Sequence, residues 1–258
     1  METIVMKFGG ASVATPEHFD KIADIIVERA KQFKKIVVVV SAMGETTNQL
    51  IDLSRKVNPN PPRREYDMLL TVGERISIAL LAMAIAKKGG EAVSFTGSQS
   101  GIITCNNHSE AKIINVRPHR LHRCLESGKI AIVAGFQGVS ETGEITTLGR
   151  GGSDTTAVAL ACALDASFAE FFKDVPGVFN EDPKKNPDAE LYERLSYEEA
   201  LKIVLNGAKI LHPRSVELAR KNYLPLHVCS FIDGGQKVGT IIHELALLPK
   251  IETLYEIL

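Results

Sequence analysis

The run Ile36-Val37-Val38-Val39-Val40 is apolar at every position. A strand of that kind has no solvent face, so it belongs inside a sheet covered by helices on both sides. Residues 3–8, 92–96, 130–136, 167–173 and 225–229 read as further strands, and helical patterns lie between them. Thr15-Pro16 reads as an N-cap followed by proline at the first helical position. Phe19, Ile22, Ala23, Ile26, Ala30 and Phe33 then keep the stripe of an amphipathic helix. A second helix is expected over 65–88, with Met68, Leu69, Val72, Ile76, Leu80 and Met83 on its apolar side. Residues 118–126, 153–164, 197–206 and 213–221 supply further helices. This alternation implies an α/β protein with a largely parallel sheet. Residues 139–145 break the pattern and read as a hairpin turn, the best internal boundary, whereas 58–62, Asn-Pro-Asn-Pro-Pro, reads as a stiff loop.

Composition narrows the function classes. A chain of 258 residues with 45% hydrophobic and 24% charged residues is ordinary for a soluble globular protein, either one large domain or two small lobes. Thirty basic residues against thirty-one acidic leave no surplus to displace counterions from a duplex, so nucleic acid is not an expected partner. The local basic group Arg117, His119, Arg120, His122, Arg123 and Lys129 reads as a solvated helix face. Cys105, Cys124, Cys162 and Cys229 contain no C-x-x-C pair and read as buried small hydrophobes of a reducing compartment. The start is too short and acidic for a signal peptide, and the longest mainly apolar stretch, 76–86, falls short of a membrane span. A cytoplasmic protein without a membrane partner is expected.

Four segments place glycine or charge where strands would end. In Lys7-Phe8-Gly9-Gly10-Ala11-Ser12, two glycines after a strand let backbone amides approach an anion, and the lysine adds a point charge for phosphate. The same pattern also fits a plain tight turn. In 147–156, Arg150 stands among glycines ahead of a helix N-terminus. That suits a carboxylate or phosphate clamp, because a structural turn has no use for the arginine. Residues 173–184 form a loop beyond a strand's carboxyl end, where ligands bind in open α/β sheets. Residues 207–213 join two helices. Glu74, beside Arg75, reads from composition as a surface carboxylate paired with a neighbouring base, with a binding role as the alternative.

In this order the segments resemble the catalytic region of the aspartate kinases, of the amino-acid kinase family. The resemblance covers nearly the whole chain, through residues 7–10, 40–44, 72–75, 134–138, 147–155, 174–178 and 207–209. It implies a three-layer α/β/α sandwich of two lobes, 1–148 for the amino acid and phosphate and 149–258 for the nucleotide. It also implies transfer of the ATP γ-phosphoryl group to the side-chain carboxylate of L-aspartate, with Mg²⁺ held mainly through the nucleotide phosphates and no metal-ligating residue assigned. Lys7 and Asp154 would be the catalytic pair. Thr47, Glu74, Arg150, Gly151, Gly152 and Ser153 would bind the acceptor, Glu74 through its ammonium and Arg150 through its α-carboxylate. Lys7, Phe8, Gly9, Gly10, Ser12 and Ser41 would surround the phosphates. Lys173, Asp174, Phe179, Lys184, Lys209 and Ile210 occupy positions that bind the nucleotide.

Two departures accompany the resemblance. Family members typically carry a small hydroxyl residue where this chain has Lys173, and tyrosine and arginine where it has Phe179 and Lys184. The loss of a phenol and of a guanidinium fork changes the expected nucleotide contacts, and Lys173 is placed to compensate by meeting a phosphate. The family also continues past a segment like 239–242 into two ACT regulatory domains. Here 244–258 is too short for one and is expected to pack as a short helix. A homodimer is expected, and feedback control would need a separate regulatory chain. The alternatives are a kinase for a modified aspartate or another amino acid, and a non-catalytic regulatory homologue.

Overall fold

The computed structural model describes residues 2–183, 185–235, 239–244 and 253–256. The chain opens with β1 (Thr3–Phe8), a 3₁₀ turn (Gly10–Val13), α1 (Pro16–Arg29), β2 (Lys35–Val40), α2 (Thr46–Val57), α3 (Arg63–Leu70) and α4 (Val72–Lys87). It continues through β3 (Ala92–Phe95), β4 (Ile102–Thr104), β5 (Ile113–Val116), α5 (His119–Glu126), β6 (Ile130–Ala134), β7 (Gln137–Ser140) and β8 (Ile145–Thr147). Then follow α6 (Gly152–Ala163), β9 (Phe168–Lys173), β10 (Arg194–Leu195), α7 (Tyr197–Leu205), α8 (Pro213–Lys221), β11 (Leu226–Ser230) and β12 (Thr240–Ile242).

Among the described residues, eight strands form the main sheet in the order β10-β12-β11-β9-β1-β2-β6-β3, parallel throughout except between β11 and β12. The hairpin expected at 139–145 joins β7 to β8 in a second sheet, ordered β5-β4-β7-β8. Alternation along the strands makes two cores. Ile4, Met6 and Phe8 of β1 join Val38, Val40 and Ile132 beneath α1 and α4. Val5, Val37, Val39, Val133 and Phe171 face α6 and its neighbours. α6 is buried from Gly152 to Cys162, as a helix apolar on every side must be. The result is the three-layer α/β/α arrangement expected, and the five-residue apolar run of β2 lies at its centre.

The helix expected over 65–88 is two helices, interrupted at Thr71. Its expected core stripe is wrong as well: Met68, Val72, Ile76 and Met83 are exposed. The buried side carries Asp67, Leu70, Glu74, Ile78, Leu81 and Ile85. Apolar residues run around most of this segment, so periodicity alone points to no single face. By length and composition Arg63–Lys87 is apolar enough to cross a membrane, yet two carboxylates lie on its buried side and it packs on α1 and the sheet. Pro16 starts α1 as expected, but the Thr15 side chain makes no capping bond. α2 and the short strands β4, β5, β10 and β12 carry too little pattern to be expected from sequence. The helix expected in 244–258 falls largely outside the described residues. Residues 253–256 are non-helical, and the Glu256 N–H donates to the Ile113 carbonyl at 3.0 Å.

Candidate active site

The period of two that sends Ile4 and Met6 under α1 sends Lys7 to the opposite face, toward the first turn of α6. There its Nζ lies 2.6 Å from Asp154 Oδ1, with both side chains almost fully buried. β9 lies beside β1, and Lys173 at its end reaches within 3.9 Å of Asp154 Oδ2. The His212 backbone N–H donates to the same oxygen at 3.3 Å. Burial alone would raise the Asp154 carboxyl, but the Lys173 and Lys7 ammoniums outweigh it and hold the group at about 2. Burial pushes the Lys173 ammonium down to about 8, with Lys7 adding repulsion and Asp154 opposing the shift. Two cations thus converge on one carboxylate that stays ionised.

Beside this cluster lies a cavity of about 560 Å³. Its wall includes Lys7, Gly10, Ser41, Thr47, Glu74 and every residue from Arg150 to Asp154. Glu74 is not the surface carboxylate that composition suggested: it is 3% exposed. Its Oε1 accepts the Ala42 N–H at 3.1 Å, while Oε2 is buried without a hydrogen-bond partner among the described residues. Burial raises this carboxyl to about 7, against the lowering effect of backbone N–H donors. A buried oxygen in that condition is costly until a donor arrives. Arg150 is exposed at the cavity, on a turn whose shape requires glycine. At Gly151 φ is +73°, and a Cβ there would sit 2.0 Å from the His212 ring. An exposed cation and a buried carboxylate oxygen without a partner among the described residues therefore share one chamber.

The remaining sequence-derived residues are placed less uniformly. Gly9 caps the 3₁₀ turn, its carbonyl accepting from the Ser12 and Val13 N–H groups at 2.9 and 3.2 Å. Phe8 is fully buried and stacks on Phe172 with centroids 4.5 Å apart. Ser12 is buried, and its hydroxyl points to the Phe172 carbonyl at 3.5 Å. Asp174 and Lys209 are exposed, and Ile210 packs partly against the α6-side core. Phe179 pairs with Leu191 in an isolated antiparallel bridge. Lys184 lies outside the described residues. Lys7, Gly10, Ser41 and the residues expected to bind the acceptor thus share one chamber, Lys173 reaches its edge from β9, and Asp174, Phe179, Lys209 and Ile210 lie on separate loops.

Several residues here carried no assigned role in the sequence, although Phe136 and Thr147 fall within the family-like runs 134–138 and 147–155. Tyr66, Ser109, Phe136 and Thr147 line the cavity, and Phe136 holds φ = +67° with its N–H donated to Thr156 Oγ1 at 3.2 Å. His212 and Asp67 support the walls. The available signal was a second helical register, in which Asp67, Leu70 and Glu74 share one side. A different cluster brings ligand atoms of Glu170, His227 and Cys229 within 4.8 Å of one another. Arg29 engages both Glu170 oxygens at 2.9 and 3.2 Å, so the group reads as an ion pair tying α1 to the sheet.

Residues 2–230 match the amino acid kinase family. The chain is 54% identical over 243 residues to an aspartokinase of Mycolicibacterium smegmatis, covering 94% of this chain and 57% of that protein. It therefore spans little more than half the length of that relative. Aspartate kinase from Synechocystis superposes with a TM-score of 0.84 at 44% identity, over 98% of this chain and 41% of that one. E. coli aspartokinase III, in complex with aspartate and ADP, superposes equally well, with a TM-score of 0.84 at 26% identity over 95% of this chain and 65% of that one. A family match over nine-tenths of the sequence, on a fold and chamber of this kind, establishes that the chain belongs to the amino acid kinase family.

Proposed function

We propose that this chain transfers the γ-phosphoryl group of ATP to the side-chain carboxylate of L-aspartate, giving 4-phospho-L-aspartate and ADP. The observation that carries the reading is the orphaned, buried Glu74 oxygen in the chamber that also holds Arg150 and Lys7. Glu74 would take the α-ammonium and Arg150 the α-carboxylate, leaving the side-chain carboxylate to meet the phosphoryl group. An N-modified acceptor would leave Glu74 unsatisfied, which argues against that alternative. Thr47, Ser153 and the amides of Gly151 and Gly152 line the same chamber and would complete the acceptor site.

The chemistry asks little of acid–base groups. The acceptor carboxylate is already ionised near neutrality, so no general base has to activate it. One of its oxygens attacks the γ-phosphorus, the bond to the β–γ bridging oxygen breaks, and ADP leaves with the electron pair. Two anions must approach, so the work is electrostatic and positional. Lys7 supplies a buried cation at that point, and Asp154 fixes its ammonium at 2.6 Å. Both Asp154 oxygens face Lys7, Lys173 or the His212 amide, so magnesium would be carried by the nucleotide phosphates rather than by this carboxylate. Bound there, it would neutralise charge on the phosphates.

The two-lobe division belongs to the same reading, with 1–148 serving the acceptor and phosphate and 149–258 the nucleotide through Lys173, Asp174, Phe179, Lys184, Lys209 and Ile210. So do a cytoplasmic setting, a first step toward lysine, threonine and methionine, and a homodimer. The exposed apolar residues Val72, Ile76 and Met83 on α4 support a second copy.

The test is trapping with hydroxylamine, which converts an acyl phosphate to a hydroxamate. Protein, ATP–Mg²⁺ and L-aspartate should yield hydroxamate, and omission of aspartate or use of N-acetyl-aspartate should abolish it. Hydroxamate from the N-acetylated acceptor but not from aspartate would overturn the assignment.

A further inference from the structure

One carboxylate near the chamber takes no part in the reading above. Asp67 lies in α3 on the buried side and is fully inaccessible. Four donors surround it. Thr147 Oγ1 and Ser109 Oγ point to Oδ1 at 2.6 and 3.3 Å, and the Ser109 N–H and His108 Nδ1 meet Oδ2 at 3.0 and 2.8 Å. A buried carboxylate with every lone-pair direction answered is a rigid joint.

The joint connects three pieces of wall that belong to different parts of the fold. Asp67 sits between Tyr66 and Leu70, both lining the chamber from α3. Ser109, in the loop between β4 and β5, lines it too and holds a left-handed φ of +71°. That conformation is uncommon for a residue with a side chain and needs support from its surroundings. Thr147 ends β8, three residues before Arg150. The contact extends further, because a Cβ on the intervening Gly149 would lie 3.1 Å from the Ser109 carbonyl. Glu74 follows on α4, directly beyond α3. The two groups that read an amino acid's charges therefore stand on opposite sides of the joint.

Resting on the proposed acceptor chemistry, we infer that Asp67 is a positioning residue that sets the spacing between Arg150 and Glu74, and thereby the recognition of the acceptor's backbone charges. An amide at this position removes the negative charge that the four donors share and turns one acceptor oxygen into a donor, which the Thr147 and Ser109 hydroxyls meet only by reversing their own hydrogen bonds. The loop carrying Ser109 and the turn carrying Arg150 would then part from α3, while Lys7, Asp154 and the nucleotide-side residues stay where they are.

The test compares wild type, Asp67→Asn and His108→Ala in the hydroxamate assay. The second variant removes one donor of four and guards against a misfolded first. Asp67→Asn should raise the KM for L-aspartate at least tenfold and change kcat and the KM for ATP less than threefold, and it should narrow discrimination between L- and D-aspartate. His108→Ala should move the aspartate KM in the same direction by a smaller factor. Aspartate and ATP KM values that shift together, or an aspartate KM unmoved in both variants, would overturn the inference while wild-type activity upheld the reaction. A wild type that makes no hydroxamate from aspartate would overturn the reaction first and this role with it.

Discussion

Under the proposed reaction, the acceptor end and the nucleotide end of the site are built on different terms. At the acceptor end Lys7, Asp154 and Glu74 are nearly inaccessible, and each is held by a strand or by the first turn of a helix. At the nucleotide end Asp174 and Lys209 are exposed, on loops beyond β9 and between α7 and α8. Burial strengthens electrostatic interactions and raises the cost of every change, whereas exposed loop groups are screened and replaceable. Of the departures from the family-like pattern, Phe179 lies on the loop beyond β9, whereas Lys173 ends β9 and faces the buried Asp154. A change among the buried groups is therefore expected to cost more than one on the exposed loops.

The strongest way to break this contrast is to remove the central cation. Lys7→Ala should lower kcat by about a thousandfold, the scale of losing a preorganised charge from a dry site, with a much smaller effect on either KM. The fold should survive: losing one partner of a buried pair costs roughly 3–5 kcal/mol when the other charge is stranded, but Lys173 remains 3.9 Å from Asp154. Steady-state kinetics with a melting curve separates the two effects. A kcat within a few fold of wild type would remove Lys7 from the reaction.

Next in size, Arg150→Ala should raise the KM for aspartate by about a hundredfold, the scale of a charge-assisted bidentate contact, with kcat reduced far less. Arg150 is exposed, so the melting temperature should hold. An unchanged aspartate KM would reject the clamp.

How legible these residues were in the sequence follows the same division. The main strands were readable because apolar runs and period-two alternation are local signals, and alternation alone carries Lys7 to the α6 face. Arg150 was readable because glycine flanks isolate it. Glu74 and Asp67 were not, because the α3–α4 segment is apolar around most of its circumference, and a carboxylate buried on such a helix looks the same in sequence as one facing water. The hydrogen bonds that decide the matter come from Ala42, Ser109 and Thr147, 32 to 80 residues away. The cap of His212 over Gly151 is a contact between distant loops and leaves no local trace at all.

A pH series sharpens the acceptor end further. Glu74 sits at about 7, so acid neutralises the charge that would meet the acceptor's ammonium. About half of the group is ionised at pH 7 and only about a tenth one unit lower, so the KM for aspartate should rise about fivefold as pH falls from 7 to 6. Glu74→Gln should raise the KM at neutral pH and flatten the profile. A wild-type KM that is level through this range would place the ammonium elsewhere.

The smallest expected effect tests the residue that stands between the two ends. Lys173 titrates at about 8, pulled down mainly by burial, so its charge is present below that pH and lost above it. Bound phosphates would favour the charged form and draw its pKa up, which limits the loss. The KM for ATP–Mg²⁺ should therefore rise only about threefold between about pH 7.5 and pH 9, with the KM for aspartate level over the same range. Lys173→Met should give a similarly raised ATP KM at neutral pH and lose the alkaline rise. If Lys173→Met instead lowered kcat as far as Lys7→Ala does, Lys173 would belong to the dry acceptor cluster through Asp154. The boundary between the two ends would then move from the start of the loop into the end of β9.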